Sequence, residues 1–295
     1  MAKCPNLLMS QNETTSCAVV GLGRLGVALA RALVAAGQPV AAVASRNSAV
    51  AQSLALELGT RVQALPDLPQ QCQVIFVTVP DGQLAQVATQ LPVGERHLVV
   101  HCSGALAPGV LDPEGKQRAA LGGFHPLQSF PPDSGPERFA GIAIGIEAPS
   151  PWLARLQGLA QQLGARPLLL AGVDRARYHA AAVFASNYLV ALLQGATEVW
   201  AAAGLREEDA LAALLPLTRG ALGAVETQPL RAALTGPVAR GDVGTVERHL
   251  AVLGDLPALQ RCYRQLGERL LALGCPADPQ AHSALRALLA DPSGE

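Results

Sequence analysis

Short apolar runs alternate with segments of helical periodicity over the first part of the chain. The runs consist mostly of Val, Ile, Ala and Leu, which is typical of strands buried on both faces of a sheet. They predict strands over residues 18–20, 39–44, 61–64, 74–79, 97–102, 142–146 and 167–171. Helices are predicted between them, over residues 49–59, 82–91 and 151–163 and directly after the first strand. This alternation predicts an α/β fold with a doubly wound parallel sheet.

Helical periodicity dominates the chain from Asp174 to about residue 290. Glycines and prolines interrupt it, and we therefore expect an all-helical second domain over residues 172–295, after a first domain over residues 14–171. The predicted central helix, residues 175–203, contains an uncharged stretch from Ala180 to Thr197. Because polar residues interrupt that stretch and charges flank it, we expect a buried helix of a soluble domain rather than a membrane span.

The first predicted strand ends in Gly21-Leu22-Gly23-Arg24-Leu25-Gly26, which opens a helix. In such a loop the first glycine makes the tight turn, the second lets a pyrophosphate approach the backbone, and the third lets helix pack on strand. The free amides and the positive dipole end of the helix favour phosphate binding. The six residues therefore predict dinucleotide binding in a Rossmann-type domain; the alternative is a glycine-rich turn without a ligand.

The end of the second strand indicates which dinucleotide is bound. A fold that binds NAD usually offers Asp or Glu to the ribose hydroxyls about 20 residues beyond the glycines. This chain has Ser45, Arg46, Asn47 and Ser48 there, and no acid. A guanidinium flanked by hydroxyl and amide groups suits the 2′-phosphate of NADP. We therefore expect NADP(H); the alternative for Arg46 is a solvated loop residue.

Further cofactor contacts are expected where other parallel strands end, because ligands bind at the carboxyl ends of strands in such sheets. For the loop after residues 97–102 we expect contacts with the nicotinamide, and turn chemistry is the alternative. The expected contacts are Val79, Pro80 and Asp81 after one strand and His101, Ser103 and Gly104 after the next.

The composition narrows the class of protein. Hydrophobic residues make up 50% of the chain but aromatic residues only 3%, which favours helix-rich α/β structure over a β-sandwich. The net charge of −1 gives no excess of positive charge that would attract nucleic acid. The six cysteines are scattered without metal-ligand spacing, which suggests free thiols, no metal site and a reducing cytoplasm. The polar N-terminus lacks the apolar core of a signal peptide.

Five segments together resemble one family: GLGRLG, HCSGAL, FHPLQSF, YHAAAVFASNYLVAL and LTGPVARGD. They are similar to predicted oxidoreductases that join a Rossmann-like NADP-binding domain to a C-terminal domain of unknown function. The wider relatives are ketopantoate reductases, β-hydroxyacid dehydrogenases and prephenate dehydrogenases. The resemblance implies NAD(P)-linked redox chemistry and a helical second domain like that of 6-phosphogluconate dehydrogenase, and it suggests a homodimer by analogy. It does not identify the substrate; ketopantoate is one candidate.

The chain departs from these relatives at a residue they use for catalysis. Ketopantoate reductases and β-hydroxyacid dehydrogenases carry a catalytic lysine four residues before an asparagine on the central helix. Matching that asparagine to Asn187 places Val183 at the lysine position, and the only lysines of the chain are Lys3 and Lys116. The lysine mechanism in its usual form is therefore excluded here.

Two histidines are candidates for the proton donor that reduction of a carbonyl or imine needs. His125 lies between a strand end and Pro126, which favours an extended backbone and could direct the imidazole to the nicotinamide. Prephenate dehydrogenases have a similar His-Pro sequence at a catalytic histidine. His179 lies one turn before Val183 and could replace the missing lysine. For each histidine the alternative is a structural hydrogen bond.

Three further residues could bind the substrate. Ser186 and Asn187, two turns beyond His179, could orient a carbonyl group or the cofactor carboxamide, and a buried asparagine in an apolar helix needs such partners. Arg240 could bind a carboxylate with two parallel hydrogen bonds. The alternative is a surface pair between Arg240 and Asp242.

The sequence therefore predicts a cytoplasmic oxidoreductase that transfers a hydride between NADPH and a small 2-oxo acid or related carbonyl compound. Imine reduction and oxidation of a hydroxy acid are further enzymatic options. A non-catalytic sensor that binds NADP(H) for a partner protein is the alternative from another class. We expect a small-molecule substrate and a homodimer, and no nucleic-acid or membrane partner.

Overall fold

The computed structural model describes residues 16–274 and 278–290. Internal contacts divide the chain into two compact units, Met1–Ser186 and Asn187–Glu295. The domain boundary predicted from the sequence lies earlier, between residues 171 and 172, and its outer limits, 14 and 295, lie outside the described residues. The helix Arg175–Ala185 falls in the first unit because its side chains bind residues of the sheet.

Eight strands form one sheet in the first unit. They are β1 (Cys17–Val20), β2 (Val40–Ala44), β3 (Arg61–Val62), β4 (Val74–Val77), β5 (Leu98–His101), β6 (Ala120–Pro126), β7 (Ala143–Glu147) and β8 (Arg166–Leu169). Their order is β3-β2-β1-β4-β5-β6-β7-β8, and all neighbours are parallel except β6 and β7. The predicted doubly wound parallel sheet is confirmed, with one antiparallel step.

The helices of this unit cover both faces of the sheet. They are α1 (Arg24–Ala35), α2 (Ser48–Leu58), α3 (Leu68–Gln71), α4 (Leu84–Ala88), α5 (Trp152–Gln162) and α6 (Arg175–Ala185). Helices α1, α2 and α5 pack on the face that carries Phe76 and Val100, and α3 and α4 pack on the face that carries Ile75 and Val99. Because successive strand residues are buried on opposite faces, the central strands are apolar throughout.

The sequence-based prediction gives no bounds for the strand β6, although it places a strand end before His125. Its segment contains Gly122, Gly123 and Pro126, which weaken a strand pattern. Long-range pairing forms the strand instead: β6 lies between β5 and β7, and His125 pairs with Gly145. This pairing places a histidine in extended conformation at the carboxyl end of the strand.

The second unit is all-helical over its described residues, as predicted. Its helices are α7 (Asn187–Ala202), α8 (Glu207–Thr227), α9 (Leu230–Ala233), α10 (Pro237–Arg240), α11 (Val243–Val252), α12 (Pro257–Leu271) and α13 (Pro279–Leu289). Its core is a small aliphatic cluster, which includes Val246, Leu250 and Leu285.

The predicted central helix over residues 175–203 is wrong in two respects. It is interrupted at Ser186, whose φ of −120° and ψ of −69° end α6 before α7 begins. It is also largely exposed rather than buried: Phe184 is 70% exposed and Val190 68%. By length and composition alone, Arg175–Ala202 could cross a membrane, and only 6% of its most apolar window is buried.

Three described cysteines, Cys72, Cys102 and Cys262, are free thiols, whereas Cys4 and Cys275 lie outside the described residues. Burial raises the pKa of Cys17, Cys72 and Cys102 to about 12, so these thiols are protonated and unreactive. Within the described ranges, no group of three or more His, Cys, Asp or Glu side chains is placed to hold a metal ion.

Candidate active site

The glycine loop between β1 and α1 has the geometry that its sequence requires. Gly21 has a φ of +91°, and a Cβ at this position would lie 2.7 Å from Cγ1 of Val79. A Cβ at Gly26 would collide with the carbonyl oxygen of Gly21. Both positions therefore need glycine, the first for its backbone conformation and the second for close packing of helix on strand.

Gly23 leaves open space where a phosphate would approach. It precedes the first residue of α1, and a Cβ there would meet no atom within 4 Å. Thr78, which the sequence analysis missed, fixes the loop by donating its hydroxyl to the carbonyl oxygens of Val20, at 3.1 Å, and Gly21. The open backbone at the start of a twelve-residue helix fits a dinucleotide pyrophosphate.

A cavity of about 510 Å³ joins the glycine loop to the loop after β2. Its lining includes eight of the predicted cofactor residues: Gly21, Leu22, Gly23, Ser45, Arg46, Asn47, Val79 and Pro80. The other predicted cofactor residues do not line it: Arg24, Leu25, Gly26, Ser48, Asp81, His101, Ser103 and Gly104. The sequence analysis missed Gln63, Ala64 and Leu65, which also line the cavity.

In the loop after β2, Ser45 and Asn47 form local hydrogen bonds, whereas the Arg46 side chain carries a positive charge. Asn47 caps α2 by accepting a hydrogen bond from the Val50 amide at 3.2 Å, and Ser45 Oγ accepts one from the Asn47 amide at 3.2 Å. Arg46 is exposed and forms no salt bridge with any described residue. Of the four predicted residues, Arg46 has the charge and the freedom to meet a 2′-phosphate.

The loop after β5 is held by a buried hydrogen-bond network. Ser103 donates its amide to His101 Nδ1 at 3.1 Å and its hydroxyl to Asp81 Oδ2 at 2.8 Å. His101 is completely buried, and this burial, with Arg175 nearby, lowers its pKa to about 4. A side chain without exposed surface cannot touch a bound nicotinamide unless it moves. The geometry favours the alternative, a neutral histidine that stabilises the turn.

His125 and His179 face one small space beside Gly104. A Cβ on Gly104 would lie 2.8 Å from His125 Nε2 and also 2.8 Å from His179 Nδ1. The two ring centroids are 6.2 Å apart. Because both nitrogens lie 2.8 Å from one point next to Gly104, they are close enough for a single heteroatom on the side away from Gly104 to reach both. The two histidines are predicted from the sequence as rival proton donors, whereas the structure brings them together.

Tyr178, which the sequence analysis missed, is the hydrogen-bond partner of His125. Its Oη lies 2.8 Å from His125 Nδ1, and the rings meet edge to face at 83°. Burial, with His179 and Arg175 adding repulsion, lowers the pKa of His125 to about 4. His125 is therefore neutral at pH 7, with one nitrogen that donates and one that accepts.

A buried ion pair lies behind this cluster. Arg175 is 7% exposed and donates to Glu147 Oε2 at 2.6 Å. A Cβ on Gly123 would lie 3.3 Å from the same guanidinium, so this glycine of β6 leaves the room that Arg175 occupies. The positive charge of Arg175 helps to keep both His101 and His125 neutral.

The predicted substrate residues lie apart from this cluster or in the other unit. Ser186 ends the first unit, Asn187 begins the second, and both are exposed, so the expected burial of the asparagine is wrong. Arg240 ends α10 in the second unit. Asp242 instead caps α11 and accepts the Thr245 hydroxyl at 2.7 Å, and no Arg240–Asp242 salt bridge occurs among the described residues.

Two family models match the chain and together cover most of it. Residues 16–104 match the family described as NADP oxidoreductase coenzyme F420-dependent, and residues 142–270 match the domain of unknown function DUF2520. The chain thus combines a segment similar to an NADP oxidoreductase domain with a segment similar to DUF2520, and each match covers less than half of it. Its cofactor is NADP, and the glycine loop and Arg46 are the groups that would hold the pyrophosphate and the 2′-phosphate.

Solved structures with this architecture are similar over nearly their whole length. A candidate NADP oxidoreductase from Bacteroides fragilis is 28% identical, with a TM-score of 0.71, and the match covers 87% of this chain and 97% of that one. A Thermotoga maritima protein is 26% identical with a TM-score of 0.69 and the same coverage. A reductive aminase from Aspergillus terreus, solved with NADPH, shares the fold at 18% identity, a TM-score of 0.63 and coverage of 92% and 98%. No curated protein matches the chain.

Proposed function

We propose that this NADP oxidoreductase reduces a small carbonyl compound, in the first instance a 2-oxo acid, and that His125 and His179 hold the reacting oxygen. The observation that carries the proposal is the convergence of His125 Nε2 and His179 Nδ1 on one space beside Gly104. Histidines are suited to this work because the N–H of a neutral imidazole donates a hydrogen bond to a developing oxyanion.

In the first unit, some residues bind the cofactor phosphates and others supply the proton to the substrate oxygen. The glycine loop and the start of α1 hold the pyrophosphate, and Arg46 holds the 2′-phosphate. When bound, NADPH supplies a hydride to the substrate carbon. The negative charge that then develops on the substrate oxygen is stabilised by an imidazole N–H, which passes its proton to that oxygen and regains one from solvent.

A buried and unpaired nitrogen of His179 supports a catalytic site over a bare cofactor sensor. His179 Nδ1 is buried, and no described residue provides it with a hydrogen-bond partner. Leaving such a nitrogen unpaired is costly, which is expected where a ligand completes the bonding. A sensor of NADP(H) has no need of proton donors at this position.

The test is a screen of NADPH oxidation, followed by absorbance, across 2-oxo acids including ketopantoate. Cyclic and acyclic imines and coenzyme F420, which the matching family's description includes, form further arms. With the best substrate, His125→Ala and His179→Ala are each expected to lower kcat by about 10²-fold or more, because a general acid contributes on that scale. His282→Ala, in α13, is the control. Unchanged turnover in both active-site variants would refute the proposal. Turnover of imines but not of 2-oxo acids would mean that the enzyme reduces a C=N bond and not a C=O bond.

We also propose that a second copy of this chain covers the exposed apolar side of α7 and α8. Val190 is 68% exposed and Leu217 72%. Soluble proteins rarely leave large apolar patches in water, and a twofold dimer buries the same patch from both copies. Size-exclusion chromatography with light scattering is expected to give the mass of a dimer; a monomer at micromolar concentration would contradict this.

A further inference from the structure

We infer that Tyr178 is a positioning residue, which donates its hydroxyl hydrogen to His125 Nδ1 and so keeps the imidazole proton on Nε2, the nitrogen that faces Gly104. The inference rests on the proposed function, since it assigns His125 the role of proton donor. It adds the group that orients this donor and selects its tautomer.

Three elements build the pair. His125 lies on β6, opposite Gly145 on β7, and Tyr178 comes from α6. The Tyr178 hydroxyl is 2.8 Å from His125 Nδ1. A Cβ on Gly145 would lie 3.0 Å from that hydroxyl, so the glycine provides the space that the phenol fills. The contact is thus enclosed by the fold and is not a chance meeting of two surface side chains.

The donors and acceptors of the two side chains determine which one donates in the hydrogen bond between Tyr178 and His125. A neutral imidazole has one N–H and one acceptor nitrogen, and a phenol has one hydrogen to donate. Within the described part of the chain, His125 Nδ1 is the only hydrogen-bond partner of the Tyr178 hydroxyl. If Nδ1 carried the proton, the phenol hydrogen would lose its acceptor at a half-buried position. Burial also raises the pKa of Tyr178, so the phenol retains its hydrogen.

The consequence is a defined donor at the reacting position. With Nδ1 occupied by the phenol, the His125 proton is on Nε2, 2.8 Å from the point that a Cβ of Gly104 would occupy. His179 Nδ1 lies at the same distance from that point. A substrate oxygen or nitrogen that lies between the two nitrogens, on the side away from Gly104, meets an N–H from His125 whose direction is fixed before binding, which is what pre-organised catalysis requires.

The second unit contains a matched pair that serves as the control. His249 Nδ1 lies 2.9 Å from the Tyr263 hydroxyl, with ring centroids 5.8 Å apart and an interplanar angle of 88°. Tyr263→Phe therefore removes the same kind of bond as Tyr178→Phe, with the same chemical change. Neither His249 nor Tyr263 belongs to the site proposed for the reaction.

The test reads the tautomer directly by long-range nitrogen–proton NMR of the histidine side chains at neutral pH, and His125→Asn assigns the signals. We expect His125 to be the Nε2–H tautomer in the wild type and to lose that preference in Tyr178→Phe. We also expect kcat to fall about tenfold in Tyr178→Phe, with KM little changed, since one hydrogen bond is lost. Tyr263→Phe should retain the wild-type kcat and the wild-type His125 spectrum.

Two results would overturn the inference. One is an Nδ1–H tautomer of His125 in the wild type, which needs no variant and is independent of folding defects. The other is a Tyr178→Phe protein, folded by circular dichroism, whose His125 tautomer or kcat matches the wild type. A wild type that turns over no substrate would contradict the proposed function instead, and the NMR result would still decide whether Tyr178 sets the tautomer.

Discussion

Gly104→Ala tests the space between the two histidines directly. A Cβ on residue 104 would lie 2.7 Å from His125 Cε1 and 2.8 Å from His179 Nδ1. Unbonded atoms of this kind prefer a separation of about 3.5 Å or more, so at least one imidazole must move by roughly 0.7 Å. Gly104 does not need a positive φ, so the methyl group causes the effect and the backbone conformation does not.

The expected magnitude follows from this displacement. A misplacement near 1 Å costs on the order of 10²-fold in rate, and we expect kcat for Gly104→Ala to fall by about that factor. The affinity for NADPH, measured by calorimetry, should stay close to the wild-type value because the glycine loop is unaltered. Gly109→Ala is the control, since a Cβ there would meet no atom within 4 Å. A Gly104→Ala enzyme with wild-type kcat would refute the position proposed for the reacting atom.

Three further predictions use other assays. Arg46→Asp should weaken NADPH binding by on the order of 10²-fold and leave NADH binding little changed, because a charge-assisted bond to the 2′-phosphate is lost; an unaltered preference in titrations would reject that contact. The free energy of unfolding, from denaturant titrations, should fall as the pH drops from about 6.5 to about 4, because the unfolded chain binds protons that His101 and His125 in the folded protein do not. The loss from His101 alone is expected to be roughly 3 kcal/mol, and a flat profile would contradict the burial argument. Leu217→Glu should convert the dimer to a monomer in light scattering, whereas Leu56→Glu, at a leucine 87% exposed in the first unit, should not.

Local sequence patterns predicted most of the sheet. Val74–Val77 and Leu98–His101 are buried strands because both faces of the sheet are covered, and continuous apolar runs are the result. The strand β6 could not be predicted in this way. Its Gly123 makes room for Arg175 and its pairing joins residues distant in the chain, and neither property has a local pattern.

The chemistry of the site was partly accessible from the sequence. His125 and His179 were named from a His-Pro pair and from helix spacing, but their convergence on Gly104 depends on a contact between β6 and α6. Tyr178 could not be identified, because a tyrosine in a helical pattern gives no sign that its hydroxyl meets a residue 53 positions away. The burial of His101 could not be predicted, because a position at a strand end indicates the edge of the site but not the burial of the side chain.

The break at Ser186 had no local signal either. Helices are usually interrupted by glycine or proline, and the sequence around this residue contains neither. The wrong expectation that α7 is buried came from treating an apolar helix as a core helix. A helix at an interface between two copies of a chain has the same composition.

A crystal structure with NADP and a non-reducible substrate analogue is the most direct test of the account. We expect the pyrophosphate on the Gly21–Gly26 loop and the nicotinamide beside Gly104, with a polar atom of the analogue bonded to both His125 Nε2 and His179 Nδ1. A nicotinamide directed away from Gly104, or an analogue that contacts neither histidine, would contradict the account.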